Sequence, residues 1–117
     1  MSSNITNVEL QLHRTRSSLM KKRKTLQRKK ERMEERKLIL EEEIKISKET
    51  GEKMKKRFSG ETLEVLLSRH LSEIGKKQRQ MEKIEENFKL LLVDFNINGN
   101  EIQCVDEEIT AIESFDI

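Results

Sequence analysis

The sequence predicts an all-α fold: an antiparallel two-helix coiled-coil hairpin with its turn near Ser59-Gly60. Three observations predict it. Apolar residues recur seven apart through the first half, at Ile5, Leu12, Leu19, Leu26, Met33, Leu40 and Met54, with only Ser47 breaking the column. A second column runs through Leu67, Ile74, Met81, Phe88, Phe95, Ile102 and Ile109. Beside it, Leu63, His70, Lys77, Ile84, Leu91, Asn98, Val105 and Ile112 alternate with it in steps of four and three. A repeat of seven held this long keeps one stripe of a helix against a partner helix. Between the two halves, Phe58-Ser59-Gly60-Glu61-Thr62 is the clear reversal signal.

Composition agrees with this architecture. Charged residues make up 39% of the 117 and apolar ones 33%, with no Trp, Tyr or Pro, too little bulk for a multilayer core. Low hydrophobicity with high charge is also the disordered composition. The absence of Pro, the abundance of Lys, Glu, Leu, Gln and Arg, and above all the heptads decide for helix. The length suits one ordinary domain, so residues 1–117 read as a single elongated unit.

Taken in order, residues 1–4 are polar and expected to fray. Asn4 or Thr6 is placed to cap helix one, with Glu9 completing a capping box after Thr6. Helix one then runs over about 5–58. Its stripe is lopsided between Arg14 and Lys37. There the apolar column is Leu19, Leu26 and Met33, while the positions four further on are Arg23, Lys30 and Lys37. Lys and Arg stems can cover an apolar stripe while their charged heads stay in water. From Leu38 onward, Leu38, Ile39, Leu40, Ile44 and Ile46 widen the stripe. Gly51 lowers helix stability by about 1 kcal/mol relative to Ala, which predicts local flexibility. At the turn, Gly60 can adopt the left-handed conformation that ends a helix, and Ser59 or Thr62 can cap the next one. Lys53, Lys55, Lys56 and Arg57 crowd the end of helix one, and Glu61 and Glu64 open helix two, as the helix dipoles favour.

Helix two is predicted over about 61–95. Asn96-Ile97-Asn98-Gly99-Asn100 is a loop by composition, although the heptad phase crosses it unchanged. The expectation is an interruption at 96–100, with the helix resuming over about 101–114. Ile5–Phe58 and Glu61–Ser114 are each 54 residues. Folding at the turn therefore sets residue i opposite about 119−i. Residues 1–58 carry 18 Lys/Arg against 9 Asp/Glu, and residues 59–117 carry 6 against 13, with no Lys or Arg from Leu90 onward. The register lays the basic Arg14–Lys24 stretch beside Phe95–Val105 and the acidic tail. Exposed ion pairs contribute only ~0–1 kcal/mol each, so apolar contact must do most of the holding.

Catalytic chemistry finds no support in the pattern. His13 and His70 are the two histidines, and the register keeps them apart. His70 on the seam reads as a polar residue that sets register, ahead of a metal ligand or pH switch. Cys104 has no second Cys or nearby His at metal-site spacing and reads as a small, half-buried neighbour of the seam, ahead of a redox group. Glu41-Glu42-Glu43 and Asp106-Glu107-Glu108 point to different helix faces and form no acid/base pair. No glycine-rich phosphate loop is present. We expect no enzyme activity, no cofactor, no bound metal and no small-molecule ligand. No stretch approaches the roughly 18–20 apolar residues that span a bilayer. The N-terminus lacks a secretory signal and the cysteine is single, which predicts a cytoplasmic protein.

The basic run Lys21, Lys22, Arg23 and Lys24, followed by Lys29 and Lys30, is the candidate partner-binding face. Phosphate binding needs clustered positive charge, but no aromatic residues are interleaved for base stacking and no docking motif is present. The apolar column also passes straight through this run, unlike the basic region of a leucine-zipper factor. The solvated face of a coiled coil is the first reading of this run and an acidic protein partner the second, and no nucleic acid is expected.

Two stretches, LHRTRSSLMKKRKTLQRKKERMEERKLILEEEI (Leu12–Ile44) and LLSRHLSEIGKKQRQMEKIEENFKLLL (Leu66–Leu92), resemble the FliJ/YscO/SpaM family. These are central stalk proteins of flagellar and type III secretion export ATPases. The likeness is one of pattern, covers nearly the whole chain, and is best to the short invasion-type members. Asn96–Asn100 and the acidic tail depart from it. The resemblance implies a non-enzymatic stalk in the central pore of the export ATPase hexamer. It also implies contact with the export-gate cytoplasmic domain, handling of secretion chaperones, and a role in protein transport and virulence. Its location would be peripheral to the inner-membrane secretion apparatus, with membrane contact only through that base. The competing expectations are a generic cytosolic coiled-coil scaffold or tether, and a small nucleic-acid-associated protein.

Overall fold

Two long helices account for the architecture. The structure, a computed structural model, describes residues 2–115, with side chains from residue 7 onward. Helix α1 spans Ser2–Arg57 and α2 spans Gly60–Phe115, forming an all-α two-helix hairpin. The chain reverses through Phe58 and Ser59, and Gly60 takes the left-handed conformation at φ 64°. The Phe58 amide still donates to the Met54 carbonyl at 2.9 Å, closing the last turn of α1. Lys55, Lys56 and Arg57 stand in that last turn and Glu61 in the first turn of α2.

The ends differ from expectation. Helical backbone begins at Ser2, so Asn4 and Thr6 lie inside α1 and residues 2–4 join it. Thr62 likewise lies inside α2, which leaves Ser59 as the residue preceding that helix. The side chain of Ile5, first in the apolar column, and residues 1, 116 and 117 lie outside the described part.

The chain also divides into two compact units where a single one was expected, Met1–Lys30 with Leu90–Ile117 and Glu31–Lys89. Contacts in a helix pair join only facing turns, so residues far apart along the helices share none.

In the Glu31–Lys89 unit the seam is built from the predicted columns. Leu40 is fully buried at 0% exposure and Ile74 is buried. Met33, Met54, Leu67, Met81 and Phe88 are half-buried along it. Lys37 reaches Glu85 at 3.8 Å, and Lys77 reaches Glu43 at 3.8 Å. Ser47, the break in the first column, has a specific role: His70 Nε2–H donates to its carbonyl oxygen. Gly51 is buried, and a Cβ there would lie 3.3 Å from His70 Cδ2. The small residues Ser47 and Gly51 thus make room for the imidazole, and α1 runs unbroken through Gly51.

That contact sets a size limit. Gly51→Ala is expected to change stability by less than about 1 kcal/mol, because the helix gain is offset by a slight displacement of the ring. Gly51→Leu should cost about 1–3 kcal/mol by displacing His70 and breaking its bond to Ser47. Thermal melts of the two variants would check the contrast.

In the Met1–Lys30 with Leu90–Ile117 unit, Leu26, Leu91, Val105 and Ile109 are buried, and Leu12, Leu19 and Phe95 are half-buried. Here α2 passes through Asn96–Asn100 without interruption. Asn98 is completely buried, and its Nδ2 donates to the Leu19 carbonyl at 3.0 Å. Gly99 leaves space for Arg23, since a Cβ there would meet Arg23 Nη1 at 3.1 Å. Cross-helix packing thus overrides the weak helix propensity of these residues.

Candidate partner-binding surface

The face built around Lys21–Lys30 belongs to a single unit, and the heptad geometry splits it in two. Steps of three and four from Leu19 and Leu26 put Arg16, Arg23 and Lys30 in the second column of α1, which faces α2. All three are half-buried. Arg16 Nε donates to Asp106 Oδ1 at 2.6 Å. The Arg23 guanidinium lies 4.0 Å from the centroid of the Phe95 ring, and Lys30 Nζ lies 5.4 Å from the same centroid. A cation over an aromatic face contributes about 0.5–1 kcal/mol at exposed sites and more when desolvated. Arg23 and Lys30 therefore serve the pairing of α1 with α2, which takes them out of the candidate partner-binding face.

Lys21, Lys22, Lys24 and Lys29 are exposed, together with Arg28. None of the five side chains makes an ion pair among the described residues. Thr25 accommodates itself mid-helix by donating to the Lys21 carbonyl at 3.2 Å. The outward basic row is free to meet a partner.

Two features escaped the sequence reading. The first is a buried polar mismatch. Arg23 Nη1 and Asn98 Oδ1 are both buried without a hydrogen-bond partner. The second is a cluster in which ligand atoms of Glu9, His13 and Glu113 lie within 4.8 Å of one another. Glu9 and His13 are four apart and approach to 3.7 Å. The 119−i register would have placed Glu113 within a turn of Glu9. Both Glu113 and His13 are exposed, and the cluster has the geometry of a surface charge group. Cys104 is exposed, where a half-buried neighbour of the seam was expected.

Of the seam residues named from the sequence, Leu26, Leu40 and Ile74 are buried and Leu12, Leu19, Met33, Met54, Leu67, Met81, Phe88 and Phe95 are half-buried. Among the described residues no helix is long and apolar enough to cross a membrane. No family model, curated protein or solved structure matches the chain.

Proposed function

We propose that the protein is a non-enzymatic stalk or adaptor of a bacterial type III secretion export apparatus, linking the hexameric ATPase to the export gate. The observation that carries the reading is the outward basic row Lys21, Lys22, Lys24 and Lys29 on a helical hairpin. The resemblance of Leu12–Ile44 and Leu66–Leu92 to export-ATPase stalk proteins supplies the partners. Distributed charge on a helix suits contact with an acidic ring or gate surface, because it needs no single pocket. Handling of secretion chaperones and a place at the inner-membrane base belong to the same proposal. A generic scaffold or tether is the second reading, favoured by the same exposed charge without a specified partner.

The test is a pull-down against a cognate export ATPase and the gate cytoplasmic domain. The wild type is compared with a Lys21→Glu, Lys22→Glu, Lys24→Glu, Lys29→Glu variant; Lys30 is kept because it lies over Phe95. The variant should stay helical by circular dichroism and bind on the order of tenfold more weakly. The difference should shrink with added salt, since the screening length is only about 8 Å at physiological ionic strength. No binding by the folded wild type to either component would put the scaffold reading ahead. Salt-dependent binding to DNA in its place would favour the nucleic-acid reading.

A further inference from the structure

One step of the cross-helix charge pairing is reversed. Arg16 of α1 meets Asp106 of α2 at 2.6 Å, basic against acidic. One heptad further from the turn on both helices, the same columns offer Glu9 on α1 and Glu113 on α2. The α1 column continues after Glu9 as Arg16, Arg23, Lys30 and Lys37, all cations. At Glu9 two carboxylates come together instead, and like charges brought this close repel.

The surroundings do not neutralise them. Residues 1–13 hold no Lys or Arg, and none follows Lys89. Arg16 is taken up by Asp106. Arg14 is exposed, and one residue's step turns it about 100° around the helix from His13. Neither Arg14 nor Glu113 makes an ion pair among the described residues.

What stands beside the two carboxylates is an imidazole. His13 follows Glu9 by four residues, so both project from one face of α1. Its Nε2 lies 3.7 Å from Glu9 Oε1. One donor atom from each of Glu9, His13 and Glu113 lies within 4.8 Å of the other two. The Glu9 side chain is 25% exposed and that of His13 51%, so the group is open to solvent on one side and packed on the other.

Two carboxylate oxygens and one neutral imidazole nitrogen are the three-ligand set of an open zinc site, with water in the fourth position. Bonds of about 2.0–2.2 Å set tetrahedral donors roughly 3.3–3.6 Å apart, so rotation of the exposed His13 and Glu113 side chains closes the cluster. A divalent ion also cancels the two negative charges. Calcium and magnesium fit less well, because they take oxygen ligands, about six or more, in place of imidazole.

We propose that Glu9, His13 and Glu113 form a zinc site that ties α1 to α2 one heptad beyond the Arg16–Asp106 pair. His70 and Cys104, the residues weighed as ligands in the sequence, take no part in it. The site needs no partner protein, so it stands or falls separately from the secretion reading.

The experiment titrates the full chain with Zn²⁺, followed by isothermal calorimetry and by proton NMR of the two imidazoles. One Zn²⁺ per chain should bind, and the His13 ring signals should shift while those of His70 stay in place. Ca²⁺ should produce neither effect. Glu113→Gln and His13→Ala should each stay helical and lose at least about tenfold in affinity, since loss of even an outer partner of a metal ligand costs roughly 10–100-fold. Glu108→Gln, an exposed carboxylate of α2, and Cys104→Ser should bind as the wild type does. No uptake of Zn²⁺ by the wild type, affinity unchanged in Glu113→Gln, or a shift at His70 in place of His13 would overturn the proposal. So would a loss of affinity in Cys104→Ser, which would put the ion at the thiol.

Discussion

Leu40→Asp is expected to abolish stable pairing of the helices, with a loss of about 3–5 kcal/mol. Leu40 is the most completely buried apolar side chain, at 0% exposure, and Ile74 is buried in the same unit. Aspartate there removes apolar area and sets an unpaired carboxylate against apolar neighbours, which either stays charged at high cost or takes up a proton. The loss is a large share of the roughly 5–15 kcal/mol that stabilises an ordinary domain. Met81→Asp should act in the same direction but less strongly, because Met81 is only half-buried. Lys76→Glu is the control. Lys76 pairs with Glu73 at 3.3 Å on the same helix, with a side chain 60% exposed, so its reversal should cost no more than about 1 kcal/mol. Urea titrations followed by circular dichroism would rank the three. Equal losses from Leu40→Asp and Lys76→Glu would mean that the seam columns carry no special weight.

The seam was legible because its signal is redundant. Fourteen heptad positions in two columns agree on one face of each helix; Leu26, Leu40, Ile74 and Ile109 among them are buried, as are Leu91 and Val105 of the companion column. The turn was legible because a left-handed position is one that glycine fills readily. Register followed from the turn and the equal arms: Asp106 pairs with Arg16, and Ser47 with His70, each within a turn of 119−i.

What stayed hidden depended on contacts across the pair. Asn96–Asn100 has the composition of a loop, and only the Leu19 carbonyl and the Arg23 guanidinium show why it stays helical. Ser47 and Gly51 look like a gap and a weak point until the His70 ring is set between them. The basic run looks like one face in one dimension. The heptads already set Arg23 and Lys30 in the stripe; what the facing helix adds is Phe95, whose ring gives both cations a contact across the pair.

Asn98→Leu is expected to make the protein more stable and less singular in its pairing. Asn98 is buried completely, with one bond from Nδ2 to the Leu19 carbonyl and no donor for Oδ1. A buried acceptor without a partner costs about 1–3 kcal/mol, while the bond that is made contributes about 0.5–1.5 kcal/mol. Leucine removes the unsatisfied oxygen and adds apolar burial between Leu91 and Val105, for a net gain of about 1 kcal/mol or more. The cost falls on specificity. A buried asparagine in an otherwise apolar column has one register in which its amide finds a carbonyl, and a leucine there fits several. Chemical denaturation should therefore show Asn98→Leu unfolding at higher urea than the wild type. Spin labels at Thr25 and Leu92, on facing helices of the same unit, should report one distance in the wild type and a broadened or multiple distribution in the variant. Light scattering should show added oligomers. A destabilised variant that keeps the single distance would mean that the Nδ2–Leu19 bond outweighs the unsatisfied oxygen, and that register is held by the turn and the Ser47–His70 contact.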